Sequence, residues 1–169
     1  MPRLVPALNR FSARTLGRRE YADVSHRVFC SPRRVRFVES EYAVPLDSVA
    51  VVLQELRAWY SRTRAPIQFP VEVRFGAADD VWLSGADGRE TAYVAVHQYV
   101  GADVGNSFDV FERIVAEHGG RPHWGKQHTL GVDELRRVHP RLDDFLAVRD
   151  RLDPTRVLVN HHLDHILGP

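Results

Sequence analysis

Four clusters of side chains in this sequence have types and spacings that can do chemistry. The first is Glu72-Val73-Arg74, an acid and a base two residues apart. On a strand, the period of two puts both on one face. The plain alternative is a same-face ion pair that contributes little. The second is His97, which stands inside an apolar and aromatic run, where a core histidine satisfied by a neighbour is the ordinary reading. The third, Arg121-Pro122-His123-Trp124-Gly125-Lys126, follows Gly119-Gly120 and combines two rings, a glycine and an isolated cation. That make-up suits a binding wall or a packing loop. The fourth is Asn160-His161-His162-Leu163-Asp164-His165. On a helix, His161 and His165 share one face with Asp164 close by, which raises a zinc reading. No cysteine or second ligand pair joins them, so no metal is expected. His123 and His128 are five apart across a glycine and do not form a ligand pair.

Lys126 is the single lysine among 23 lysines and arginines. A guanidinium is a planar fork and an ammonium a compact point charge, so the two are not interchangeable in a tight site.

The elements that must position these residues follow from hydrophobic period and turn chemistry. Residues 1–30 show short helical pieces with many arginines and no clean period, as in a connector that packs on something upstream. Alternation from Arg34 through Glu39 predicts a strand. Pro45 to Ser48 predicts a helix start, with Asp47 or Ser48 as N-cap, and Val49, Val52, Leu53, Leu56 and Tyr60 mark its buried face. Pro66 and Pro70 bound the next turn, and Phe69 to Phe75 predicts a strand bearing Glu72 and Arg74. Ala86 to Arg89 predicts a turn. Thr91 to Val100 is the clearest strand, with Tyr93, Ala95, His97 and Tyr99 on one face. A helix capped by Asn106 or Ser107 stops at Gly119-Gly120. Two short helices, Asp133 to Val138 and Leu142 to Arg151, precede an extended Val157-Leu158-Val159 and the histidine-rich tail. Strands and helices mix without βαβ alternation, which predicts an α+β fold with a mainly antiparallel sheet flanked by helices.

The bulk numbers exclude several classes. A net charge of +1 across 169 residues offers no footprint for nucleic acid. One cysteine, Cys30, excludes an internal disulfide and suits a reducing compartment. No apolar run reaches the roughly 18 residues needed to cross a bilayer. The expected setting is cytoplasmic, with peripheral attachment to a membrane also admitted. Neither a Gly-x-Gly-x-x-Gly after a strand nor a Walker loop is present, and no Gly-x-Ser-x-Gly elbow occurs.

Several motifs together carry a resemblance. Phe69-Pro70-Val71-Glu72-Val73-Arg74-Phe75, Ala77-Ala78-Asp79-Asp80, Thr91-Ala92-Tyr93, His97 and Gly119 through Lys126 occur in order. So do Ser31 through Phe37, Glu41-Tyr42-Ala43-Val44-Pro45, Arg149 through Pro154 and Asn160 through Gly168. In order and spacing they resemble the C-terminal domain of the D-arabinono-1,4-lactone oxidase family, which takes in L-gulonolactone and alditol oxidases. The resemblance implies residues 31–169 as a substrate domain, with residues 1–30 connecting from an FAD-binding domain supplied in cis or in trans. It implies oxidation of an aldono-1,4-lactone or alditol, with oxygen as the expected acceptor. It further implies Lys126 as a cation near flavin and substrate, Arg74 as the group that orients the substrate, and Glu72 as a hydroxyl acceptor that positions Arg74. His97 would be a pocket residue assisting proton removal, where the alditol branch has a threonine. His123 and Trp124 would support Lys126 on the cofactor side, with Asn160 a further flavin-side contact. The contrasting reading is a folded remnant without flavin that serves as an interaction module.

Overall fold

The computed structural model describes residues 4–17, 20–30, 34–65, 67–101 and 105–168. Of the residues used above, Ser31 to Arg33 and Pro66 lie outside the described residues. Two helices, α1 (Val5–Thr15) and α2 (Ser25–Phe29), come first. Leu8, Phe11, Leu16 and Tyr21 in this region are exposed, so its apolar side chains are not taken up by the core.

The body of the fold is a four-stranded antiparallel sheet in the order β2-β3-β1-β4. Its strands are β1 (Phe37–Pro45), β2 (Glu72–Gly76), β3 (Thr91–Tyr99) and the two-residue β4 (Arg121–Pro122). The expected α+β architecture is therefore present. A 3-10 turn (Leu46–Ser48) leads from β1 into α3 (Val49–Thr63), which returns the chain to β2 at the sheet edge. β1 then pairs with β3 over its full length, from Phe37 opposite Tyr99 to Pro45 opposite Thr91.

Alternation along β1 and β3 separates two faces. Tyr42, Val44, Ala92, Val94 and Val96 point to one side and pack against Val52 and Leu56 of α3. Val110, Phe111, Ile114 and Val115 of α4 (Ser107–Glu117) complete this core. Tyr42 meets Phe111 edge to face at 5.7 Å, a favourable aromatic geometry. A second core gathers Leu135, Leu142, Leu146, Ile166 and Leu167 from α5 (Val132–Val138), α6 (Leu142–Leu152) and α7 (His161–Leu167). Trp124 and Leu83 pack on it from the sheet side.

Three local expectations are revised. Ser48 and Asn106 occupy N-cap positions, yet neither side chain makes a capping bond. β1 starts at Phe37 rather than Arg34. Val157 and Leu158 form a turn instead of an extended piece, because the Asp153 carboxylate accepts their N–H groups at 2.7 and 2.8 Å. A local acceptor of this kind competes with strand geometry.

Candidate active site

The second face of the sheet is charged. The period of two places Glu39 and Glu41 of β1, Glu72 and Arg74 of β2, and Tyr93 and His97 of β3 on this one side. Register then pairs them: Glu39 lies directly opposite His97, and Arg74 opposite Tyr93. The chain after α4 adds the remaining cation. Gly119 adopts φ +68, and a Cβ on Gly120 would sit 2.7 Å from the Val115 carbonyl oxygen, so a tight reversal needs glycine at both positions. Beyond it, His123 N–H donates to Glu41 O and Gln127 N–H to Glu39 O, both at 2.9 Å. Residues 121–127 thus track β1 and bring Lys126 over Glu39.

Two ion-paired groups result. Arg74 sits between acids, with Nη2 2.6 Å from Glu41 Oε1 and Nε 3.2 Å from Glu72 Oε1. Glu41 is 2% exposed and Arg74 54%, so a buried carboxylate anchors an accessible guanidinium. In the other group Glu39 is shared: His97 Nε2 lies 3.3 Å from Oε1, and Lys126 Nζ donates to Oε2. Phe37 meets the His97 ring edge-on at 5.1 Å, and Phe69 lies 5.9 Å away. Phe37, Phe69, Pro70, Val71, Glu72 and His97 line a cleft of about 430 Å³ beside this cluster.

Beside this cluster a cationic frame holds the loops. Arg121 donates to Val138 O at 2.7 Å and Asp87 O at 2.8 Å, and Arg89 to Gly119 O at 2.9 Å and Ala43 O at 3.0 Å. Burial, then the charge of Arg121, brings Arg89 down to about 10, which leaves it protonated at neutral pH. Burial, then the charges of Arg121 and Arg89, brings His139 down to about 4 and keeps it neutral. Its ring lies 5.0 Å from Trp124, whose Nε1–H donates to Leu83 O at 2.9 Å. On the other side, Glu112 accepts from Tyr42 Oη and from Thr129 N–H at 2.9 Å, fixing the chain just past Lys126.

Four of the residues singled out from sequence, Glu72, Arg74, His97 and Lys126, thus meet on one face. His123 is exposed, and its Nδ1 accepts from Gly125 N–H at 3.1 Å, shaping the turn that carries Lys126. Trp124 braces the same turn from the second core. Asn160 is the N-cap of α7, its Oδ1 accepting from Leu163 N–H at 2.9 Å. His161 and His165 do share α7, but among the described residues no three histidine, cysteine or acidic groups gather to hold a metal ion. Sequence reasoning did not single out Glu39 and Glu41, the carboxylates that pair with Lys126, His97 and Arg74. The available signal was two acids at same-face spacing within a strand whose other face is apolar.

This face, with its two cations each backed by a glutamate, lies within a stretch that known proteins share. Residues 1–166 match the family described as D-arabinono-1,4-lactone oxidase. An L-gulono-1,4-lactone dehydrogenase of Mycobacterium tuberculosis is 44% identical over 99% of the chain and 39% of its own length. An L-gulonolactone oxidase of Bos taurus is 32% identical over 98% of the chain, again 39% of its own length. An alditol oxidase of Streptomyces sp. is 35% identical over 77% of the chain and 31% of its own length. The chain therefore spans about two fifths of the length of the first two relatives. With nearly every residue matched, and Glu72, Arg74, His97 and Lys126 within the matched span, the chain belongs to the D-arabinono-1,4-lactone oxidase family.

Proposed function

We propose that this chain is the substrate-side domain of an FAD-dependent oxidoreductase acting on an aldono-1,4-lactone or an alditol. The observation that carries this reading is the convergence of Arg74 and Lys126 on one charged sheet face, each anchored by a glutamate of β1. Such a face would suit the ring of a flavin, since two cations could stabilise negative charge that develops on it. In this reading another domain holds the phosphates of the cofactor, in keeping with the lack of a glycine-rich phosphate loop among the described residues. Residues 1–30, with their exposed apolar side chains, are the proposed connection to that domain.

FAD, when bound, supplies the acceptor for the hydride that leaves the carbinol carbon. The chain does the remainder. Arg74 binds and polarises the substrate oxygen, while Glu72, half exposed, accepts from neighbouring hydroxyls. Lys126 keeps two N–H groups beyond the one given to Glu39 and offers positive charge to substrate or cofactor. The hydroxyl proton is taken up by the Glu39–His97 pair, whose facing atoms share any proton that arrives. His123 and Trp124 hold the Lys126 turn in place on the cofactor side. Asn160 orders α7, which touches that turn where His162 Nε2 lies 3.4 Å from Trp124 O, and is the further flavin-side candidate.

The test combines the chain with an FAD-binding domain, fused or added separately, and follows flavin absorbance and oxidation of aldono-1,4-lactones and alditols. A flavin-containing complex that turns over one of these substrates is expected. Lys126→Ala and Arg74→Ala should each lower turnover well over tenfold, the cost of one electrostatic donor. A flavin-loaded complex without turnover on either substrate class overturns the activity. Near-normal rates in both variants overturn the roles.

A further inference from the structure

We propose that Glu39 is a positioning residue that joins Lys126 and His97 into one charge-coupled unit, so that protonation of His97 is felt at the Lys126 ammonium. This rests on the reading of Lys126 as the cation of an oxidase site, and it adds a residue that orients and tunes that cation from behind.

The geometry supports the coupling in three ways. Each Glu39 oxygen has its own partner, Oε1 facing His97 Nε2 at 3.3 Å and Oε2 accepting from Lys126 Nζ. A single carboxylate thus divides its charge between the two groups, and a proton on one changes its hold on the other. The backbone reinforces the arrangement. Glu39 lies opposite His97 in the β1–β3 register, while its carbonyl accepts from Gln127 N–H at 2.9 Å beside Lys126. The backbone of each partner is thus held beside Glu39.

Burial supplies the strength. Glu39 is 10% exposed and His97 11%, and the imidazole is flanked by Phe37 and Phe69. Less water around the pair means less screening of their interaction. His97 Nδ1 is buried without a hydrogen-bond partner, so Glu39 is the polar handle that fixes the ring. Lys126, 26% exposed, retains an accessible side for a ligand. Other charged groups facing the unit are Glu41 on β1, Arg74 and Glu72 on β2, and His123 in the turn. The first three are bound to one another, and His123 Nδ1 is engaged by Gly125 N–H. Tyr93 of the same face lies under Arg74, and Arg121, opposite Ala43, bonds backbone carbonyls of residues 85, 87 and 138.

Lys126 is the only lysine, so isotope-labelled lysine gives a single side-chain signal free of overlap. The experiment follows that signal and the histidine ring signals of the unliganded chain by NMR, from about pH 5 to 8 for the imidazole and on into the alkaline range for the ammonium. In the unaltered chain the lysine signal should show a step with the same midpoint as His97. His97→Gln should abolish that step, while His118→Gln, at the remote contact with Glu55, should leave it intact. Glu39→Gln should remove the step as well. A lysine signal blind to His97, or one unchanged by Glu39→Gln in a folded chain, overturns the proposal. If Glu39→Gln fails to fold, the His97→Gln comparison decides alone. Flavin and substrate are absent from the experiment, so its outcome stands apart from that of the oxidase reading.

Discussion

His139 makes the turn that carries Lys126 sensitive to acid. His139 is 2% exposed, its ring packed against Trp124, with the buried Arg121 and the partly buried Arg89 nearby. Burial first, and those two charges second, bring it down to about 4, against about 6.5 for an unperturbed imidazole. The unfolded chain therefore binds this proton before the folded one does. The contribution of a neutral His139 is complete above about pH 6.5 and is lost as the pH falls from there towards 4. Linkage puts the loss at about 2 kcal/mol between pH 7 and pH 5, and about 3 kcal/mol by pH 4. Other acid-sensitive groups respond too, so the perturbation is His139→Gln, which stays neutral throughout. Urea unfolding of both chains at pH 7, 6 and 5, read by tryptophan fluorescence, isolates the term. The unaltered chain should lose about 2 kcal/mol more than the variant over that range. Parallel profiles would refute the assignment of a buried, neutral histidine held down by two arginines.

Two further outcomes follow from packing and pairing. A Cβ on Gly85 would lie 2.6 Å from Ala43 Cβ and 3.2 Å from the Tyr93 ring, so Gly85→Ala should cost about 1–3 kcal/mol in thermal unfolding. Gly125→Ala, whose new atom meets only His123 at 3.6 Å, should be close to neutral. Arg74→Ala leaves the Glu41 carboxylate buried with no cation, and should cost about 1–3 kcal/mol by denaturant unfolding. Adding Glu41→Gln should recover part of that loss, and strict additivity of the two changes would argue against the pairing.

Much of this arrangement is legible locally. Period two puts Glu72 and Arg74 on one face, and they do meet, at 3.2 Å. The i, i+3, i+4 spacing of Val49, Val52, Leu53 and Leu56 foretells the buried side of α3, where Val52 and Leu56 lie against the sheet. Gly119-Gly120 marks the reversal that launches the Lys126 turn. The order of motifs points to the family that the matched residues 1–166 bear out. In each case the information lies within a few residues, where steric rules and side-chain period act.

Partnership across strands is different. Nothing near Arg74 in the chain announces Glu41, 33 positions earlier, as its closest acid. Glu39 reads as one more polar residue of an alternating strand until register sets it opposite His97 and the returning loop lays Lys126 on it. Asn160 is a flavin-side candidate by resemblance, and its place as the N-cap of α7 emerges only from the structure. His139 carries no local sign of the burial, or of the nearby Arg121 and Arg89, that keep it neutral. The sequence alone therefore determined most of the elements, the shared strand face of Glu72 and Arg74 and that of Tyr93 and His97, and the family. Only the tertiary structure decided which carboxylate serves which cation, because register and loop return bring together residues far apart in the chain, and burial then fixes the strength of each pair.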